Sequence, residues 1–163
     1  MMNQPCSWKT DSPLGGILLS SDGRAITGLW FEGQAHFPAE LARTEHTHVF
    51  DEAIRWLDLY FSGKRPDFTP PVAFEGTPFR RAVWQALLEI PYGRTTTYGD
   101  LAKALSEKGF PKASPRAVGG AVARNPISII VPCHRVLGAG GWLTGYAGGL
   151  ERKQALLKLE GIL

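Results

Sequence analysis

The sequence predicts an α+β protein in two parts, a strand-rich N-terminal part and a mostly helical C-terminal one. Three observations predict it. Short β-branched and aromatic runs with a turn signal between them fill residues 6–31. Apolar residues recur at helical spacing beyond residue 78. A stretch rich in proline and charge, residues 64–71, lies between the two, and the domain boundary is placed just beyond it, near Glu75, giving units 1–75 and 76–163. With 163 residues, 44% of them hydrophobic, the chain is long enough for one ordinary domain or two small ones.

The elements follow in order. Residues 6–10, 16–20 and 26–31 read as strands, and Asp22-Gly23 as the hairpin turn between the last two. Phe50, Ile54, Leu57 and Phe61 mark a helix over residues 49–62, stopped by Gly63 and Pro66. Thr77 is an N-cap with Pro78 at the first helical position, and Phe79, Val83, Leu87 and Ile90 form the apolar face of the helix that follows. Thr97-Tyr98-Gly99-Asp100 resembles a capping box and opens a short helix to about Ser106. Ser114-Pro115 opens another, ended by Asn125-Pro126. Two short helices joined by a turn of Lys, Gly and Pro predict a helix-turn-helix. The continuous apolar run 127–131 is expected to be a buried strand or extended segment that delivers Pro132-Cys133-His134-Arg135. A glycine-rich loop, 138–149, leads to a last helix from about Leu150.

Charge and cysteine usage narrow the function. Residues 1–75 carry six Lys and Arg against ten Asp and Glu, a net of −4, while residues 76–163 carry twelve against five, a net of +7. A basic half beside an acidic half points to a polyanion site on one side only. No apolar run is long enough to span a bilayer, and Met1-Met2-Asn3-Gln4-Pro5 lacks the features of a secretory signal, so a cytoplasmic protein with no membrane association is expected. The two cysteines, Cys6 and Cys133, suggest no disulfide framework. His36, His46 and His48 with Cys6 match no zinc spacing, so no metal is expected.

Cys133 is followed by His134 and Arg135, and nearby cations favour the nucleophilic thiolate over the thiol. A small Cys packed at the end of a core strand would look the same. Glu160 adds weight to the nucleophile reading. It shares a helix face with Leu156, Leu157 and, further back, Leu150, whereas Glu151, Arg152 and Lys158 fall elsewhere. A carboxylate on an inward stripe needs a hydrogen-bond partner, and an imidazole would serve. The segment 114–124 contains Gly119-Gly120. Two glycines cost a helix roughly 1 kcal/mol each relative to alanine, which suggests that another helix or a nucleic acid approaches its backbone. Arg116 and Arg124 stand near its ends, with Lys108 and Lys112 in the turn before it.

The run from Asn125 through Pro132-Cys133-His134-Arg135 to Val136 closely resembles the active-site segment of the O6-alkylguanine-DNA alkyltransferases. Residues 84–98, the Arg116–Gly120 helix, Gly145-Tyr146-Ala147-Gly148-Gly149 and residues 157–161 resemble further family signatures in the right order, and Asp11-Ser12-Pro13-Leu14-Gly15 resembles the family's opening. The resemblance implies a ribonuclease-H-like N-terminal domain with a small, mainly antiparallel sheet, and a winged-helix-like C-terminal domain that binds DNA and carries the alkyl acceptor. It implies one irreversible transfer from O6-alkylguanine, with O4-alkylthymine a further candidate substrate, in duplex DNA to Cys133, by a monomer that uses no cofactor and works at the nucleoid, or in the nucleus of a eukaryote. His134, oriented by Glu160, would draw the thiol proton through a water, and Asn125 would organise the turn. Tyr98 would meet the flipped nucleotide, and the Cys133 and Val136 carbonyls the guanine amino group. Tyr146, Ala147 and Gly148 would line the alkyl pocket with Lys153 nearby. Arg116 would fill the gap in the base stack, with Ser114, Ala117 and Gly120 on the same helix in the minor groove. The turn 107–114 is longer than the family pattern. Two other readings remain: a relative that binds alkylated DNA without transfer, which would lack the cysteine, and a Cys-His hydrolase with a transient acyl adduct.

Overall fold

In the computed structural model, which describes residues 4–163, the chain divides into two compact units, one ending at Phe74 and one spanning Glu75–Leu163. Met1, Met2 and Asn3, the start of the segment tested above for a signal, lie outside the described residues.

The first unit is a four-stranded sheet with one helix. Strands β1 (Cys6–Thr10), β2 (Ile17–Ser21), β3 (Ile26–Phe31) and β4 (Arg43–Thr44) lie in the order β3-β2-β1-β4. β1 pairs antiparallel with β2, with Trp8 opposite Leu19, and β2 antiparallel with β3, with Leu19 opposite Leu29. Of these four strands only the two-residue β4 runs parallel, beside β1. The expected hairpin turn is present. Asp22 Oδ1 accepts from the amides of Arg24 and Ala25, both at 2.9 Å, and Gly23 takes φ +98. Helix α1 (His48–Phe61) turns Val49, Phe50, Ala53, Trp56, Leu57 and Tyr60 inward. The sheet gains a further bridge where Val72 pairs with Ile26.

The second unit is helical. Helix α2 (Pro78–Leu88) is capped by Thr77, whose hydroxyl accepts from Arg80 N. After β5 (Thr96–Thr97) come α3 (Tyr98–Glu107), capped by Thr97, and α4 (Pro115–Ala123), capped by Ser114. The turn between them is tied down by Lys108 N and Phe110 N, which both donate to Leu105 O, and by Gly109 at φ +102. Phe110 then packs edge-on against Phe79. The indole of Trp84 donates to Ala121 O at 2.8 Å and locks α2 to α4. The chain next makes a short 3-10 turn (Cys133–Arg135), β6 (Val136–Leu137), which pairs parallel with β5, and α5 (Leu150–Leu159).

Two expectations fail here. The run 127–131 is not a strand but a buried knot of turns. Asn125 takes the hydrogen bonds a sheet neighbour would have made: its Oδ1 accepts from Ile127 N, and its Nδ2 donates to Ile127 O and Val131 O. Ile129 is forced to φ +68, a left-handed conformation costly for a β-branched residue. Leu150 is not on the inward face of α5 either; it is 49% exposed. It is the first helical residue, and the stripe that does turn inward is Lys153, Leu156, Leu157 and Glu160.

Candidate active site

Cys133 opens the 3-10 turn at the exit of the Asn125 knot, its amide bonded to Val131 O at 2.8 Å. It is 5% exposed. Burial pushes its thiol pKa up, and a hydrogen bond from Asn125, the charge of Lys153 and local backbone amides work against that rise. The resting group is therefore a thiol, and the proton has to leave during the reaction. The cation that acts on it is Lys153 of α5, not the adjacent Arg135, which points elsewhere.

His134 is fully buried, and its Nε2 lies 2.5 Å from Glu160 Oε2. The carboxylate can only accept, so Nε2 carries the hydrogen and Nδ1 keeps its lone pair. Burial lowers the imidazole pKa more than the carboxylate raises it, so the ring is neutral at pH 7 and able to take a proton. Glu160 is held from three sides. Its other oxygen accepts from Arg135 Nε at 2.8 Å and from Gly93 N at 2.9 Å, and Arg135 also donates to Ile90 O at 2.7 Å. Three donors on one carboxylate explain why a buried Glu is tolerated at the end of α5.

Lys153 is likewise fully buried, at the centre of the inward stripe of α5. Its Nζ donates to Val136 O at 2.7 Å and to Thr144 O at 3.2 Å. Burial lowers its pKa to about 8. Thr144 in turn bonds through Oγ1 to Tyr98 Oη at 2.9 Å, so one residue of the glycine loop joins α3 to α5. Burial raises the Tyr98 pKa, with Cys133 adding to the rise and Thr144 opposing it. The phenol stays protonated and can donate. Burial holds the Tyr146 phenol well above 10, and ionisation of Cys133 would push it higher still. Gly148 O accepts from Arg152, while Ala147 lies half-buried between Tyr146 and Gly148.

The structure thus brings Cys133, His134, Glu160, Asn125, Tyr98, Val136, Tyr146 and Lys153 into one cluster. Arg116, Ala117 and Gly120 are instead exposed on one face of α4, and the Ser114 hydroxyl is spent on capping Ala117 N at 3.1 Å. Among the described residues nothing needs Gly120 to be a glycine, since a Cβ there would meet no atom within 4 Å; one at Gly119 would touch the Tyr98 ring at 3.8 Å. The open, small-residue face is free for something outside the protein.

Sequence reasoning missed Arg135, Gly93 and Thr144. Arg135 was legible only as a charge next to the nucleophile; that it anchors Glu160 depends on the 3-10 turn sending its side chain back toward α5. Thr144 carries no local signal at all. Among the described residues no group of three or more His, Cys, Asp or Glu is placed to hold a metal ion, and no helix is long and apolar enough to cross a membrane.

Known proteins match both units. Residues 8–74 match the ribonuclease-like domain of 6-O-methylguanine DNA methyltransferase, and residues 78–162 match the DNA-binding domain of the same family. A methylated-DNA–protein-cysteine methyltransferase of Methanosarcina acetivorans is 51% identical over 152 residues, which is 93% of this chain and 95% of that one. Its counterpart in Mycobacterium leprae is 47% identical over 92% of this chain and 88% of its own length. A Mycobacterium tuberculosis relative crystallised in complex with DNA superposes with a TM-score of 0.82 at 43% identity, covering 93% of this chain and 90% of that one. The fold, the two domain matches and the near-complete coverage agree: this chain belongs to the methylated-DNA–protein-cysteine methyltransferase family.

Proposed function

We propose that this protein repairs DNA by taking the alkyl group from O6 of guanine in a duplex onto Cys133, once and irreversibly. The observation that carries the reading is a thiol with a cation beside it, next to an imidazole whose far nitrogen is fixed by a triply held carboxylate. His134 Nδ1 takes the thiol proton through a water, sulfur attacks the alkyl carbon, and the carbon–O6 bond breaks. In balance, thiol and O6-alkylguanine give thioether and guanine, with the thiol proton ending on the base. A thioether has no carbonyl for water to attack, so Cys133 is not regenerated and no cofactor is called for.

The other residues position the substrate. Tyr98 donates to the flipped guanine as it leaves. The Val136 carbonyl already accepts from Lys153, but its second lone pair can take the guanine amino group together with the Cys133 carbonyl. The Ala147 amide faces O6. The second unit binds DNA as a monomer, with α4 in the minor groove, where Ala117 and Gly120 allow close approach and Arg116 enters the base stack. O4-alkylthymine, with the same alkyl–oxygen linkage, is a second substrate to assay, and the site of action is the cytoplasm or nucleoid. Peptide mapping after reaction with a labelled O6-methylguanine duplex tests the assignment. The label is expected on the peptide holding Cys133, and label on Cys6 or none at all would refute it.

Arg116→Ala is expected to slow repair of duplex DNA by up to about 100-fold, since unstacking a base costs a few kcal/mol and each 1.4 kcal/mol is tenfold. Reaction with free O6-benzylguanine, which needs no unstacking, should change less than about threefold by the same reasoning. Equal losses on both would remove Arg116 from the stack.

The pH profile follows from the shifts. His134 titrates below the usual 6.5, so transfer should hold as pH falls from 7 through 6.5 and drop only in more acid solution, when the imidazole is protonated and can no longer accept. Lys153 loses its charge near pH 8, so a second fall is expected there. Single-turnover rates across this range check both limbs, and the alkaline one should vanish in Lys153→Met.

A further inference from the structure

Among the described residues Trp142 is the most exposed large apolar side chain, at 76%. The other four tryptophans are covered: Trp56 and Trp84 are buried, Trp8 and Trp30 half-buried. The Trp142 backbone is nonetheless held. Gly138 N donates to Trp142 O at 2.8 Å and Gly141 N to Gly138 O at 3.0 Å, which closes the turn before it. Gly140 and Gly141, at φ +71 and +85, take the left-handed conformations this turn requires, and the indole leans over Gly140, where a Cβ would lie 3.7 Å from Cδ1. No other ring or cation packs on the indole among the described residues. A fixed backbone thus holds a large flat ring in water, and such a ring gains apolar burial only when a partner covers it.

Its place in the second unit says which partner. A Cβ on Gly138 would lie 2.8 Å from Thr144 Cγ2 and 3.5 Å from Trp142 Cβ, so both residues stand against the same point of the turn. Thr144 bonds to Tyr98 Oη at 2.9 Å, and the Tyr98 ring lies 3.8 Å from where a Cβ on Gly119 of α4 would be. A continuous line of contacts therefore runs from α4, whose small-residue face is proposed above to meet DNA, through Tyr98 to the Trp142 turn. Charge agrees with a polyanion here. Residues 136–150 hold no Asp or Glu to repel phosphate, in a half of the chain, residues 76–163, with a net +7. They hold no Lys or Arg either, so a contact made by this turn is one of flat apolar surfaces and not of ion pairs.

We propose that Trp142 is an aromatic DNA contact, its indole packing on the base or deoxyribose of the nucleotide next to the flipped guanine on the lesion strand. This rests on the reading of Cys133 as acceptor and of α4 as the helix that meets the duplex. The lesion strand follows from the line of contacts, because Tyr98 is the residue proposed to meet the flipped nucleotide and Trp142 stands on the far side of it from α4. Every base and sugar offers a flat apolar face, so the indole adds affinity for the extruded conformation without adding sequence preference. Arg116 fills the gap in the stack, and Trp142 steadies the strand beside it.

The test compares single-turnover transfer from a subsaturating O6-methylguanine duplex with reaction of free O6-benzylguanine. Trp142→Ala is expected to lower the duplex rate by about tenfold, the scale of one lost stacking contact, and the free-base rate by less than about twofold. Trp142→Phe keeps a flat ring and should recover most of the loss. The slope of duplex affinity against salt should be the same in both variants as in the original protein, since an indole neutralises no phosphate. The difference in tryptophan emission between the original protein and Trp142→Phe isolates this indole, and binding of the duplex should quench it. An unchanged duplex rate in Trp142→Ala, an equal loss on the free base, or an indole emission that the duplex leaves unquenched would each overturn the contact while leaving Cys133 as acceptor. Absence of a methyl group on Cys133 in the original protein would instead bring down the acceptor reading itself.

Discussion

Cys133→Ser is expected to reduce alkyl transfer to background while leaving duplex binding within about threefold. The hydroxyl is far harder to ionise than the thiol, and His134, neutral and already weakened as a base by burial, cannot compensate. The fold should tolerate the change. The Asn125 amide is already held by Ile127 O and Val131 O, so the new buried hydroxyl costs at most the roughly 1–3 kcal/mol of an unsatisfied group. The exposed face of α4, proposed above to meet the DNA, does not include Cys133. Thermal unfolding and a binding titration separate these effects from the loss of chemistry. Measurable transfer by the serine variant would move the nucleophile elsewhere.

Glu160→Gln should slow transfer by about 10²–10⁴-fold, the range of a lost general base. The amide has one oxygen where the carboxylate has two, and it can be placed in two ways. With its oxygen toward Arg135 and Gly93, both of those donors stay satisfied and the NH2 faces His134 Nε2. Nε2 must then accept, so the hydrogen moves to Nδ1, the nitrogen that has to receive the thiol proton. With the amide reversed, the imidazole keeps its tautomer but the buried Arg135 faces another donor, and breaking a buried ion pair in this way costs about 3–5 kcal/mol. The first arrangement wins; it keeps the hydrogen bond to Arg135 but not the charge pairing, so the variant should be less stable yet still folded, and react poorly. Glu160→Ala is the less informative change because it also leaves Arg135 and Gly93 without a hydrogen-bond acceptor. A glutamine variant that transfers within about threefold of the original rate would show that His134 is not the base.

How much of this was legible in the sequence depends on how local the signal was. The caps at Thr77, Thr97 and Ser114 were readable because a cap is a contact between residues three apart, and each hydroxyl accepts where expected. The strands at residues 6–10 and 26–31 and the turn at Asp22-Gly23 were readable for the same reason. Glu160 stood out as a carboxylate among leucines, and its buried bond to His134 bears that out. The run 127–131 misled because hydrophobicity reports burial but not backbone path. Here one side chain, Asn125, replaces a neighbouring strand as hydrogen-bond partner, and no periodicity records that. Leu150 misled because helical periodicity does not say where a helix begins to meet its core. Arg135, Gly93 and Thr144 act across 25, 67 and 46 residues of chain, distances over which a single sequence carries no pattern.

The central claim, one irreversible alkyl transfer to a cysteine, is tested most directly by intact-mass measurement after incubation with a tenfold excess of duplex carrying O6-methylguanine. The account predicts that every active molecule gains one methyl group, that the gain persists on prolonged incubation, and that the guanine restored equals the protein consumed. More than one lesion repaired per protein molecule, or an adduct that disappears with time, would contradict it and point to a hydrolytic cysteine instead.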